Sequence, residues 1–600
     1  MQTAATPATT SSTTAPAGKR RFRVVMIKPS HYDERGYVIQ WWKAWVPSNS
    51  LASVYGLLLD ADERQVLGPD VAIDVDAYDE CNRPVPFDKL IAELKPLGNM
   101  ALVGLVGVQS NQYPRALDMA RRFRAAGIPV AIGGFHVSGV LSMLKEPTLD
   151  LQEALDMGVT LYAGEAEGRI GDLLADAMNG DMKPIYNYMD DLPGLQGQPI
   201  PFLPAELIQR YDGSVTSFDA GRGCPFQCSF CTIINVQGRI SRWRDADDIE
   251  RIVRANLAQG IDRYFITDDN FARNRNWEAI FDRLIELKER DGLEVSFVIQ
   301  VDTLCHRIPG FIEKAARAGC GTVFIGLENI NPASLAHAKK RQNKITEYRV
   351  MFQAWRDAKV ITYAGYILGF PNETAASIKH DIEVIQRELP VDMLAFTLLT
   401  PLPGSEDHRN MYKAGTWMDP DLNKYDLEHV TVKHPLMSPE ELQQVYRDAW
   451  DWYFTDAHVE TLMRRAVAGG IKPVRIWQKV LQIGAVMKFH GVHPQQGGFL
   501  RLRLRKDRRV GLPIEPVWSF YPKRAWELIS TYGGMALYAW RLHRIRKRVQ
   551  ADPASKTYTD QAIEAVEQAE TEELEMFTMT DAAREAVNKA QRLKGHAPAA

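Results

Sequence analysis

From residue 24 to residue 400 the chain repeats one pattern: a short apolar run, then a longer stretch with helical spacing. The first set of runs falls at residues 24–27, 71–75, 101–106, 130–132 and 159–163. Between them, stretches such as 113–126 carry Leu117, Ala120 and Phe123 near helical spacing. Runs this short and uninterrupted belong to parallel strands covered on both faces. Glycines follow several of them, Gly133 and Gly134 after the fourth and Gly164 after the fifth. The pattern predicts a doubly wound α/β domain over residues 22–190, with ligands at the carboxyl ends of its strands. After a Pro-rich connector at 191–204, six more runs (215–218, 263–267, 295–300, 322–326, 362–368 and 393–400) alternate with helical stretches such as 246–259 and 375–389. Over 205–425 this fits a partial (β/α)6 barrel, an open sheet being the alternative that periodicity leaves.

Outside these blocks the patterning changes. Residues 1–21, mostly Ala, Thr, Ser and Pro before Lys19, read as a disordered tail without a secretory signal. From 426 to 600 helical spacing dominates, with basic stretches at 501–509 and 541–548 and an acidic tail at 560–575. Seventy-two Lys and Arg against 75 Asp and Glu leave a net charge of −3, which argues against a general nucleic-acid binder. No run approaches the roughly 20 apolar residues of a spanning helix. Six cysteines in 600 residues exclude a secreted disulfide framework and point to a reducing, cytoplasmic setting.

Three of the six crowd together. Cys224, Cys228 and Cys231 form C-x3-C-x2-C just after the first strand of the second block, flanked by Gly221, Gly223 and Pro225. Structural zinc takes four closed ligands, usually as two separated pairs, and no fourth Cys or His lies nearby. Buried core cysteines would not sit among glycine and proline. An iron–sulfur cubane held by three thiolates keeps one iron open for a ligand. Cys81, Cys305 and Cys320 stand alone and read as small buried hydrophobes.

The cysteine loop resembles the signature of the radical S-adenosylmethionine (SAM) enzymes. In that family the open iron of a [4Fe-4S] cluster chelates SAM, and the aromatic before the last cysteine, here Phe230, lies against the adenine. Later strand ends carry further resemblances: Asp268, Asp269 and Asn270, then Gln300, then Glu328 within Gly326-Leu327-Glu328-Asn329, then Gly365 and Gly369 in a G-x-I-x-G segment. The resemblance assigns these to SAM and covers about residues 205–405. The preceding block is similar to the cobalamin-binding domain of the cobalamin-dependent branch. Ser110 and Asn111, Gly133, Gly134 and His136, and Gly164 and Glu165 are its expected cobalamin contacts; Glu167 reads equally as an acid at a helix N-terminus. The loop after the first strand departs from the axial-histidine motif D-x-H-x-x-G, with Pro29 and Glu34 in place of Asp and Gly. His31 therefore reads as an ordinary loop histidine, and a corrin bound without protein histidine is implied.

The resemblance implies reductive cleavage of SAM to a 5′-deoxyadenosyl radical, hydrogen abstraction, and methyl delivery from methylcobalamin to an unactivated carbon. Oxidative cyclisation or rearrangement, as in the anaerobic porphyrin-ester cyclases, is the second reading. A non-catalytic cobalamin or redox sensor is the third. A small-molecule or lipid substrate and an external electron donor of flavodoxin or ferredoxin type follow from the first. Tyr532 to Trp540, with five basic residues directly after, has the composition of an interfacial helix. Gly533 and Gly534 weaken a helix there, and the cations could instead form a solvated face or pair with the tail acids.

Overall fold

A computed structural model describes residues 18–564 and 574–595. Residues 1–17 and 565–573, which include most of the expected tail and part of the acidic segment, lie outside the described residues.

Chain order gives β1 (Arg20–Lys28), β2 (Gln40–Ala44), β3 (Val71–Asp79), β4 (Ala101–Leu105), β5 (Val130–Gly133), β6 (Thr160–Ala163) and β7 (Ile185–Asn187). All but β2 form one parallel sheet in the order β3-β1-β4-β5-β6-β7. Val24, Val25, Met26 and Ile27 are all buried, as continuous apolar runs inside two helical layers must be. β1 starts at Arg20, inside the segment expected to be tail, because it pairs with β3 from Val71 onward. The strand order reverses between β1 and β4, the topological switch point where such sheets bind ligands.

The second block begins with β8 (Val215–Phe218), followed by a two-stranded hairpin of β9 (Gly221–Arg222) and β10 (Arg242–Trp243). β11 (Arg263–Ile266), β12 (Ser296–Val301), β13 (Cys320–Glu328), β14 (Ile361–Leu368) and β15 (Met393–Leu398) complete a parallel sheet in the order β15-β14-β13-β12-β11-β8. β8 and β15 do not pair, so this is a partial barrel of six β/α units. The carboxyl ends of the two sheets face each other. Gly139, on the helix after β5, comes so close to the loop after β15 that an added Cβ would lie 2.6 Å from the Pro403 carbonyl.

Helices Pro439–Tyr453, Asp456–Ala468, Pro473–His490 and Val517–Ala551 make up the C-terminal block. Gly533 and Gly534 do not interrupt the last of these. A Cβ at Gly534 would meet Phe489 at 2.5 Å, so the glycine lets two helices approach closely at the cost of local propensity. One strand, β16 (Gly498–Leu502), pairs antiparallel with β2, closing the Trp-rich loop onto the far end of the chain. The first basic stretch is therefore internal: Arg501 and Arg503 both reach Asp33, and Arg509 is bidentate to Asp421. The described tail acids Asp560 and Glu575 pair with Arg465 and Arg387, so neither holds the 541–548 cations. Among the described residues, no helix is long and apolar enough to cross a membrane.

Candidate functional site

The cysteine loop leaves β8 under close constraint. Gly221 has room for no Cβ, which would lie 2.6 Å from the Asn274 amide and 2.8 Å from Asp268. Gly223, at φ +91°, would place one 2.5 Å from the Ile240 carbonyl. Close approach requires glycine at both positions, and at Gly223 the backbone angle requires it too. The Cys224 N–H donates to Gly238 O, and the β9–β10 hairpin closes the loop behind it.

Cys224, Cys228 and Cys231 are unpaired thiols near enough to act on one another. Burial, with Cys228 and Cys224 alongside, pushes Cys231 up to about 12. Among the described residues no three His, Cys, Asp or Glu side chains converge on one metal ion. A cluster whose thiolates bind separate irons does not need such convergence. Three mutually repelling thiols on one loop are the donor set it requires.

The acids after β11 serve the loop. Asp268 Oδ1 accepts the N–H groups of Ala220 and Gly221, both at 2.7 Å, and Oδ2 accepts the Asn274 amide at 2.7 Å. Asp269 accepts the Gly223 N–H at 2.7 Å and, with its amide turned to donate, Gln237. Burial pushes each carboxyl up to about 7. Asn270 exchanges hydrogen bonds with Asp302, and Gln300 donates to Asp268 O at 3.2 Å. Asp268 and Asp269, which the resemblance assigns to SAM, therefore also brace the loop, their oxygens taking its buried backbone N–H groups.

Glu328 differs. It sits at φ +61°, in the left-handed region a glutamate adopts only where its surroundings impose it. Its Oε1 meets the Lys340 ammonium at 2.6 Å. Burial alone would lower the Lys340 pKa, but Glu328, then Cys228 and Cys231, raise it, so the ammonium stays charged beside the thiols. A Cβ at Gly326 would lie 2.7 Å from Glu328 Oε1, so any larger residue there would displace the Glu328 carboxylate. Phe230 packs half-buried against Ala338, Ile367, Phe370 and Leu399, with the Lys340 ammonium 5.8 Å from its ring. At the end of β14, Gly365 faces the Phe324 ring, and Gly369, at φ +91°, donates its N–H to Glu373.

In the first block, the residues expected to meet cobalamin fall on the loops after β4, β5 and β6, of which the β4 loop borders the switch point. His136 is buried between Ser110, at 3.1 Å from Nδ1, and Asp150, at 2.7 Å from Nε2. Asn111 is 3% exposed, and its side-chain amide makes no hydrogen bond to a described residue. The glycines do not line an open cradle. A Cβ at Gly134 would strike Val108 N at 2.2 Å, one at Gly133 would press on Tyr162 O at 3.3 Å, and one at Gly164 on Tyr188 at about 3.1 Å, so the loops themselves fill that space. Glu165 is not free for a ligand either. It pairs with Arg222 at 2.8 Å and with Arg242, while Glu167 takes the other end of Arg222 at 2.7 Å. The pair of acids is a buried clasp between the two blocks. His31 is buried beside Asp426 and Arg501, and burial lowers its pKa to about 4, keeping the ring neutral.

Residues 220–385, which span the cysteine loop and four of the six barrel strands, match the Radical SAM superfamily. The chain contains a radical SAM domain. It is similar to the bacteriochlorophyllide d C-8(2)-methyltransferase of Chlorobaculum tepidum, 25% identical over 367 residues, 58% of this chain and 78% of that one. The bacteriochlorophyllide d C-12(1)-methyltransferase of the same organism is 28% identical over 333 residues, 54% and 69% of the two chains. In fold it resembles the radical SAM methyltransferase TsrM from Kitasatospora setae, solved with cobalamin and a [4Fe-4S] cluster. There the TM-score is 0.50 at 15% identity, over 66% of this chain and 78% of that one.

Two residues of the radical SAM core escape a reading of the sequence. Lys340 supplies a buried cation beside the thiols, and Gln342 donates to Cys228 Sγ at 3.6 Å. Both lie in the run Lys339-Lys340-Arg341-Gln342-Asn343, which looks like a solvated turn. Asn343 pins that run by donating to the carbonyls of Gly326 and Leu327. A lysine in place of a hydrophobe gives no local signal; only the fold brings it under Phe230.

Proposed function

We propose that this enzyme transfers a methyl group to an unactivated carbon of a small, apolar or lipid-like molecule, using a [4Fe-4S] cluster, SAM and cobalamin. The observation that carries this reading is the buried Lys340 ammonium facing the loop thiols and Glu328 on one side of the barrel mouth. When bound, the cluster and SAM supply a radical and cobalamin supplies the methyl group. Cys224, Cys228 and Cys231 hold the cluster. Asp268, Asp269 and Gln237 fix the loop that presents those thiols. Lys340 offsets the negative charge that thiolates bring into a buried site and orients Glu328. Phe230, Gln300, Glu328, Gly365 and Gly369 line the SAM side, with Phe230 offering an apolar face for the adenine. Ser110, Asn111 and His136, on the opposing loops, meet the corrin, with His31 kept neutral at a distance from that task. An external flavodoxin- or ferredoxin-type donor supplies electrons in a cytoplasmic, reducing setting.

The methyltransferase relatives favour methyl transfer over cyclisation, and an enzymatic core disfavours a sensor. Anaerobic reconstitution with SAM, followed by mass spectrometry of a metabolite extract, tests it. A product heavier by one methylene is expected, and a product lighter by two hydrogens would favour cyclisation instead. The cluster assignment is checked by replacing all three cysteines with Ala, which should abolish iron binding and SAM cleavage together. Retention of about four irons per chain would refute it.

A further inference from the structure

Helix Val517–Ala551 runs about 52 Å at 1.5 Å per residue and has two unlike faces. Phe520, Tyr538, Leu542, Ile545 and Val549 are buried against the rest of the molecule. On the other side Trp518, Trp526, Ile529, Leu537 and Trp540 fall at alternating steps of eight and three, one stripe along the helix, and each is more than half exposed. Thirteen of the 23 exposed large hydrophobic side chains among the described residues lie between Phe499 and Trp540. Seven of the thirteen lie on the helix itself, and concentration in one segment, unlike scattered exposure, marks an interaction surface.

Charge identifies the partner. The helix carries seven Lys and Arg and a single acid, Glu527, which is turned inward onto Arg503 and Arg524. Arg544 and Lys547 are exposed at the end of the stripe and make no ion pair with a described residue; Arg544 lies over the Trp540 ring at 4.9 Å. We propose that this face docks on an anionic lipid bilayer, the helix lying in the interface with its Trp side chains at headgroup depth. The helix is too polar to span, so it lies on the surface. A second copy of the chain fits less well, because a two-fold interface would set these unpaired cations against their own duplicates. The inference goes beyond the proposed reaction and stands or falls independently of it.

Co-sedimentation of the full chain with vesicles tests it. The protein should pellet with equimolar phosphatidylcholine and phosphatidylglycerol at low salt, far less with phosphatidylcholine alone, and be released at high salt. Arg544→Ala and Lys547→Ala should each weaken partitioning about fivefold, the equivalent of one cation at an anionic surface. Trp518→Ser with Trp526→Ser should weaken it by about tenfold or more, while melting and cluster content stay at wild type because neither ring stacks on another. Recovery in the supernatant with anionic vesicles at low salt would overturn the proposal. So would double-Trp protein that pellets as well as wild type, or a wild-type dimer in vesicle-free solution that the double substitution dissociates.

Discussion

Asp268 is where the structure adds a brace to the contact the family resemblance assigns, and its two replacements separate the readings. One carboxylate oxygen takes two backbone N–H groups and the other takes the Asn274 amide, all within the buried start of the cysteine loop. Asp268→Ala strands three donors. At about 1–3 kcal/mol for each buried unsatisfied group, the loop loses roughly 3–9 kcal/mol, and water entry would keep the loss near the lower end. Asp268→Asn keeps the oxygen that serves both backbone groups and sets one amide N–H against another, so two donors are stranded, costing roughly 2–6 kcal/mol. The expected order in thermal melting and in iron content after reconstitution is wild type, then Asn, then Ala, with the Ala protein failing to hold a full cluster. SAM affinity, measured by equilibrium dialysis, should fall only in proportion to lost cluster. An Asp268→Ala protein with normal melting and iron content but weak SAM binding would refute the brace and leave the direct contact.

Glu328→Gln should remove the partner of a buried ammonium, which costs about 3–5 kcal/mol when nothing else compensates. Because Cys228 and Cys231 also act on Lys340, the melting loss should be larger in cluster-free protein than in reconstituted protein; equal losses would show that the thiolates do not share the cation. Burial pushes the Glu373 carboxyl up to about 8 from an ordinary 4.5. An acid raised in this way favours the fold fully below its unfolded value and gives up that contribution as pH rises through about 8, by up to about 5 kcal/mol. Glu373→Gln should therefore flatten the fall in unfolding free energy between mildly acidic and mildly alkaline pH, read by denaturant titration; an unchanged slope would place the titration elsewhere.

Both parallel sheets were legible because their strands are buried on two faces and so read as unbroken apolar runs, Val24 to Ile27 being a clear case. The cysteine loop was legible because thiols, glycines and proline coincide in eleven residues. What stayed hidden depends on partners far away in sequence. β2 carries Trp41 and Trp42, which look like loop residues until β16 pairs with them across 460 positions. The basic run at 501–509 has the composition of a solvated face, yet Arg501 is 3% exposed because Asp33 meets it. Glu165 resembles a ligand contact and is instead half of a clasp on Arg222. Charge on a residue is visible in sequence; the identity of its counter-charge is not.

The β2–β16 pair also orders events during synthesis. Trp41 is fully buried only when His490, Val486 and the β16 strand are in place. At about 5–20 residues per second, those partners leave the ribosome roughly 20–90 s after Trp41 does. Through that interval the first sheet carries an uncovered Trp-rich flap, so nascent chains are exposed to wrong pairing in a way the finished protein is not. A gene shortened to end after the barrel would make that interval permanent, and such a product should accumulate with chaperones or in aggregates.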